Sequence, residues 1–128
     1  MPLWKTLSNT NKQVIKPKTW TTISFNDVTE FKLPRFGWSI MTSIIRVFYP
    51  STGCPTTVKI RLVRYPNTNK EDLTGHSDYD PLPNNERHIH WQHFILNRKD
   101  LTVSLRIWHN GKNPIILDGR QFKTTRFK

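Results

Sequence analysis

Apolar and polar residues alternate along most of this chain, and this period of two constrains its fold more than any other feature of the sequence. In the segment 58–62, three aliphatic residues alternate with Lys59 and Arg61. Successive side chains of a β-strand point to opposite faces, so the alternation predicts a strand with one buried face. Four further segments show strand patterns: 20–25, 38–49, 87–96 and 101–108. Because sustained helical periods are absent, we expect an all-β fold.

Turn-favouring residue pairs punctuate the last third of the chain. Asn110-Gly111 and Asp118-Gly119 tolerate the positive φ angles of tight hairpin turns, and they predict a closing meander of three strands that ends with the segment 121–127. A single helical turn near residues 70–74 is the only helix we expect. The length of 128 residues suits one domain. We predict a single β-sandwich or partly closed barrel of about six to eight strands.

Two segments depart from the strand pattern. Residues 1–18 carry four lysines and no sustained apolar rhythm, which predicts a flexible basic arm. Residues 66–86 are polar, acidic and contain three prolines, so we expect an acidic loop within a single β domain spanning 19–128. The chain has 15 aromatic residues, and large rings can fill a lean core. We place three tryptophans in that core: Trp20, Trp38 and Trp91.

Charge is distributed unevenly along the chain. The net charge is +11, and the segment 31–70 contains seven Lys or Arg residues and no acid. The segment 71–86 contains five acids and no Lys or Arg, so the remainder of the chain, with 20 bases and four acids, carries +16. A field of this sign attracts polyanions, nucleic acid first and anionic lipid second.

Residues that could support catalysis or metal binding are few. His88 and His90 share one strand face, a spacing that metal sites in β-barrels use, but residues 91–99 lack the acid that cupins place nearby. The lone Cys54 cannot form an internal disulfide, which favours a reducing compartment. Nucleophile motifs and phosphate-binding glycine loops are absent. We therefore expect no enzyme activity, no metal and no cofactor.

Cations adjacent to aromatic rings are the positive finding. On the strand from Val58 to Tyr65, lysine and arginine can follow phosphates while a tyrosine ring stacks on a base. The same pairing recurs at Arg106 and Trp108 and in the basic tail. We predict ten nucleic-acid-binding residues: Lys59, Arg61, Arg64, Tyr65, Arg106, Trp108, Arg120, Lys123, Arg126 and Lys128.

The order of these features resembles two families of viral proteins. A short Lys-bearing arm, a run of strands, a basic strand leading into a long polar loop (58–69) and a closing meander are similar to jelly-roll coat proteins and to related movement proteins of plant viruses. The resemblance covers residues 18–127 in pattern and includes no specific motif. It implies a jelly-roll-like fold, binding to nucleic acid without sequence preference, and self-association.

Together these observations predict a non-enzymatic, basic viral protein with a structural or movement role, which binds RNA or single-stranded nucleic acid. The alternative is a matrix-type virion protein that binds anionic membranes and self-assembles through the acidic loop. The sequence contains neither the apolar core of a signal peptide nor about 18 consecutive apolar residues. We therefore expect no transmembrane segment, no signal peptide, and a location in the virion or the host cytoplasm.

Overall fold

The computed structural model describes residues 3–9, 11–33, 37–79, 86–97 and 101–127. Within these ranges the chain forms strands and no helix. The ten strands are β1 (Leu3–Asn9), β2 (Gln13–Ile15), β3 (Thr21–Thr22), β4 (Phe31–Leu33), β5 (Gly37–Phe48), β6 (Val58–Arg64), β7 (Asp72–Tyr79), β8 (Glu86–Asn97), β9 (Leu101–His109) and β10 (Ile115–Phe127).

The strands form two antiparallel sheets. Sheet 1 has the order β1-β10-β5-β8, and β2 also pairs with β10; sheet 2 has the order β3-β9-β6-β7, and β4 also pairs with β9. β1 pairs with residues 120–126 of β10 and β2 with residues 115–117, so these two strands lie end to end. β3 and β4 share β9 in the same way. Ten segments thus occupy the eight positions of a jelly roll, which confirms the predicted all-β sandwich.

The predicted alternation is confirmed in the long strands. In β6, Val58, Ile60 and Leu62 are fully buried between the sheets, while Lys59 is partly exposed on the outer surface. Arg61 shares that surface by register but is only 8% exposed. Three phenylalanines of the core pack against one another: the rings of Phe31 and Phe122 stack with centroids 4.2 Å apart, and Phe25 contacts both. Stacked and tilted ring contacts of this kind add to the stability gained from burial.

The predicted closing meander is wrong. Asn110-Gly111 connects β9 in sheet 2 to β10 in sheet 1, so this segment crosses between sheets rather than closing a hairpin. A side chain at Gly111 would place its Cβ 2.8 Å from the Gly53 carbonyl oxygen, so the glycine is needed for close approach of two connections. Asp118-Gly119 lies inside β10, where the pairing with β5 shifts register, and forms a bulge instead of a turn.

Two segments expected to lack strands contain them. Part of the segment 1–18, expected to be a flexible arm, forms β1 and β2 against β10. Part of the segment 66–86, expected to be a loop, forms β7 at the edge of sheet 2; residues 80–85 lie outside the described ranges. No helical turn forms at 70–74, because Glu71 ends a turn that begins at Tyr65 and β7 follows at once.

Candidate functional site

Four of the predicted binding residues lie together on the outer face of sheet 2. Lys59 and Arg61 project from β6, and Arg106 and Trp108 project from the neighbouring β9. The register pairs Lys59 with Trp108 and Arg61 with Arg106. Because directly opposed residues of an antiparallel pair are within side-chain contact, the sheet assembles one basic and aromatic surface from two distant segments.

Trp20 completes this surface, although we expected it in the core. Its ring is 41% exposed, and its centroid lies 6.4 Å from that of Trp108. The Lys59 ammonium lies 5.1 Å from the Trp108 ring centroid, and the Arg61 guanidinium lies 5.7 Å from that of Trp20. These are cation–π distances. We call these four residues, Trp20, Lys59, Arg61 and Trp108, the Trp20–Trp108 cluster.

Three exposed lysines lie in the connections next to the end of β9 that carries Trp108. The backbone N–H of Lys18 donates to the carbonyl of His109, the residue after Trp108. The side chains of Lys16, Lys18 and Lys112 are all exposed. The predictions for this face did not include them, because their position beside Trp108 depends on the crossing between sheets.

Acidic residues at and just before β7 pair with arginines of β6 and β9. Arg61 contacts Asp78 at 2.9 Å, and Arg64 pairs with Asp72. Arg106 donates to Glu71 at 2.6 Å, and this hydrogen bond, with another from the Asn67 backbone, lowers the pKa of Glu71.

These pairs change the electrostatics expected of the face. The acidic segment runs along the edge of sheet 2 and compensates two cations of its outer face, Arg61 and Arg106. The positive field is therefore concentrated at the end of the face that carries Lys59 and the surrounding lysines.

Arg64 and Tyr65 lie at the opposite end of β6. Tyr65 adopts a positive φ of 52° and its side chain packs partly against the core. Its carbonyl accepts hydrogen bonds from the backbone and hydroxyl of Thr68. The structure thus uses Tyr65 to turn the chain from β6 towards β7, and its ring is less accessible than that of Trp20.

The remaining predicted residues lie elsewhere. Arg120 is 3% exposed and donates to the carbonyls of Asn11, Ser24, Leu117 and Asp118. Its guanidinium therefore holds the β10 bulge to neighbouring segments and does not face solvent. Lys123 lies on the outer face of sheet 1, across the sandwich from the Trp20–Trp108 cluster. The side chains of Arg126 and Lys128 lie outside the described part of the chain.

One part of the outer face of sheet 1 is apolar. Trp38 of β5 is 55% exposed, although we expected it in the core, and Phe94 of β8 is 59% exposed. The register places Trp38 opposite Leu96 and Ile40 opposite Phe94. We call these four residues the apolar face. Beside it lies a shallow groove of about 490 Å³ whose lining includes Thr42, Ile44, His90, Gln92, Gln121 and Lys123. The third tryptophan, Trp91, is buried as predicted.

Cys54, His88 and His90 are the residues that the sequence singled out for catalysis or metal binding. Among the described residues, no three His, Cys, Asp or Glu side chains are close enough to hold a metal ion; the side chain of His88 is outside that set. Burial raises the pKa of the Cys54 thiol, which opposes formation of a nucleophilic thiolate. None of the described segments is a helix that could cross a membrane.

Comparisons with known proteins establish the fold. No protein-family model and no curated protein matches the chain. A mutant VP2 protein of infectious bursal disease virus, in derived T=1 particles, superposes with a TM-score of 0.64 and 8% identity over 96% of this chain and 31% of that chain. This chain therefore spans about a third of VP2.

Two further solved structures are similar over nearly their whole length. Eiger TNF from S. frugiperda has a TM-score of 0.66 and 6% identity, covering 98% of this chain and 93% of that one. The globular domain of zebrafish complement 1qA protein has a TM-score of 0.61 and 9% identity, covering 94% of each chain. The chain therefore has a jelly-roll-like fold shared with viral capsid and TNF-like domains, which confirms the predicted likeness to viral β-proteins at the level of fold.

Proposed function

We propose that this chain is a non-enzymatic structural protein of a virus that binds single-stranded nucleic acid, without sequence preference, through the Trp20–Trp108 cluster. The observation that carries the proposal is a pair of adjacent indole rings at the surface, each with a cation over it. Each base stacked on an aromatic side chain contributes about 1–3 kcal/mol, whatever its identity. The arrangement therefore fits unpaired bases better than a duplex, whose bases already stack on each other.

Phosphate contacts would come from the lysines at the same end of sheet 2. Lys59 is held beside Trp108, and Lys16, Lys18 and Lys112 extend from the neighbouring connections. A strand whose bases stack on Trp20 and Trp108 would bring its phosphates within reach of these side chains. The net charge of +11 favours such a partner.

The structural role is supported by the fold. VP2 of infectious bursal disease virus, which shares the jelly roll, forms subviral particles. We propose by extension that this chain acts within a virion, where a basic jelly roll would contact the genome.

The test is a titration of the full chain with a fluorescent single-stranded RNA of about ten nucleotides, a length that one cluster can cover. We expect Trp20→Ala and Trp108→Ala each to weaken binding roughly 5- to 100-fold, the loss of one stacked base. Trp38→Ala is the matched control, because it removes an equally exposed tryptophan from the opposite sheet. It should bind as the wild type does.

Salt dependence provides a second readout. Affinity should fall steeply between about 50 and 200 mM salt, and replacing Lys59, Lys18 or Lys112 by Gln should reduce the logarithmic slope by about 0.7 each. Equal losses for Trp38→Ala and Trp20→Ala would place binding elsewhere. Binding to anionic vesicles with no binding to RNA at low salt would overturn the proposal and favour a matrix-type role.

A further inference from the structure

The apolar face of sheet 1 is unusual for the surface of a single β-sandwich. Trp38, Ile40, Phe94 and Leu96 form two directly opposed pairs on β5 and β8, and three of them are more than 40% exposed. Outward-facing positions of an antiparallel sheet are normally polar when they contact water. A contiguous row of exposed rings and aliphatic side chains marks an interaction surface.

The chemistry of this face fits an apolar partner. The groove beside it is lined by the uncharged Thr42, Gln92 and Gln121, which can donate or accept hydrogen bonds, and by His90 and Lys123. The indole rings with cations above them lie on the opposite sheet. An acidic partner would bind near those cations, whereas the apolar face itself is complementary to a second apolar face.

The whole outer face of sheet 1, of which the apolar face is one part, is large enough for a stable complex. β5 and β8 each have 12 residues, with β10 and β1 beside them. At ~3.3 Å per residue and ~4.8 Å between strands, this surface measures roughly 40 by 19 Å, or about 760 Å². A standard protein–protein interface buries about 800 Å² on each partner.

Charge also favours a second copy in this orientation. Two chains of net charge +11 repel each other wherever their cations approach. Packing through sheet 1 places the two Trp20–Trp108 clusters on opposite outer sides. With stacked sheets about 10 Å apart, four layers separate the clusters by about 30 Å, well beyond the screening length of about 8 Å in physiological salt.

We infer that two copies of this chain pack through the outer faces of sheet 1, with Trp38, Phe94 and Leu96 among the side chains that the contact buries. The contact is isologous, since each copy presents the same surface to the other. The inference goes beyond the proposed function and stands whether or not the chain binds nucleic acid.

Sedimentation equilibrium of the full chain over a wide concentration range tests this inference. We expect a dimer that dissociates on dilution, and we expect Trp38→Ala and Phe94→Ser each to raise the dissociation constant at least ~30-fold, as for an aromatic hot spot. Trp20→Ala is the control for loss of an exposed ring and should remain as dimeric as the wild type. Because both altered side chains are exposed, the variants should keep the wild-type circular dichroism and unfolding midpoint.

Three results would overturn the inference. The first is a wild type that is monomeric at every concentration. The second is a dimer that Phe94→Ser and Trp38→Ala leave intact. The third is a monomeric wild type that binds anionic vesicles and loses that binding in Phe94→Ser, which would assign the apolar face to a membrane.

Discussion

His109 is fully buried at the end of β9, and both of its ring nitrogens are hydrogen bonded. The backbone N–H of Gly111 donates to Nδ1 at 3.1 Å, and Nε2 lies 2.9 Å from the Ile15 carbonyl oxygen. Since a carbonyl can only accept, Nε2 carries the proton and the ring is neutral. The side chain thus ties together three segments that connect the sheets beside the Trp20–Trp108 cluster.

This burial predicts a loss of stability in mild acid. Desolvation lowers the pKa of His109, although its hydrogen bond to Ile15 partly opposes the change. Burial, together with the positive charge of Arg64, lowers the pKa of His93 as well. Below the ordinary histidine pKa of about 6.5 the unfolded chain therefore binds more protons than the folded chain, so the free energy of unfolding falls as the pH falls.

Urea denaturation between about pH 7 and pH 5 measures this effect, which has a maximum slope of about 1.4 kcal/mol per pH unit for each histidine. His109→Gln should be less stable than the wild type at neutral pH but show a shallower decline in acid. His90→Gln, at an exposed position of β8, serves as the control and should decline like the wild type. A free energy of unfolding that stays constant across this range would contradict the prediction.

The tryptophans show that residue type alone does not determine whether a side chain is buried. We expected Trp20, Trp38 and Trp91 in the core, and only Trp91 is buried. The alternation of segment 20–25 contained the needed signal, since Trp20 falls on the face opposite Ile23 and Phe25, which are both buried. Ring size indicates that burial is favourable, but only the parity relative to aliphatic neighbours indicates which face the ring occupies.

Strand β7 could not be predicted from its own residues either. Its sequence, Asp72–Tyr79, lacks the apolar alternation of a half-buried strand, and it forms by pairing with β6 along residues 58–64. Because this pairing is nonlocal, the sequence of the strand does not need to alternate between apolar and polar residues. Charged side chains on an edge strand also discourage edge-to-edge association, so an acid-rich edge is compatible with the sheet.

β7 also sets the strength of the adjacent basic surface. We predict that Asp72→Asn combined with Asp78→Asn increases affinity for single-stranded RNA about three- to tenfold at low salt, because two negative charges are removed from the edge of the basic surface. The cost in stability should be at most about 1 kcal/mol for the Arg64–Asp72 pair, whose two side chains are both at least 40% exposed, and larger for the Arg61–Asp78 pair, because Arg61 is only 8% exposed.

The matched control for this double variant is Asp27→Asn combined with Glu30→Gln. It changes the net charge by the same amount, at exposed positions between β3 and β4. Anisotropy titrations of both variants distinguish a local effect from a general one. Equal gains in affinity would show that only the total charge matters, and that pairing with β7 does not regulate the surface.

At the scale of the whole molecule, the jelly roll separates two kinds of chemistry. Sheet 2 carries stacked rings and cations, and sheet 1 carries exposed apolar residues. The sequence predicted the class of fold because alternation is local, and it identified four residues of the sheet 2 surface. It did not predict that the cations and the apolar residues lie on different sheets. The pair Asn110-Gly111 is typical of a hairpin turn, but here it connects a strand of sheet 2 to a strand of sheet 1.

This separation predicts that the dimer joins two nucleic-acid strands. With the two Trp20–Trp108 clusters on opposite sides, one dimer should bind two short oligonucleotides at once and should bridge distant segments of a long one, gaining avidity from the link. Mixing donor-labelled and acceptor-labelled single-stranded RNA with the wild type should therefore produce energy transfer. Phe94→Ser should bind each short RNA with unchanged affinity and produce no transfer, because a monomer holds only one strand.

Trp20→Ala provides the complementary case in this experiment, since it should form dimers and lose both binding and transfer. The two variants thus remove one property each, as expected if the faces act independently. Transfer that persists in monomeric Phe94→Ser would show that a single chain holds two strands. In that case the second strand would have to contact sheet 1, where Lys123 lies beside the apolar face, and Lys123→Gln should then abolish the transfer.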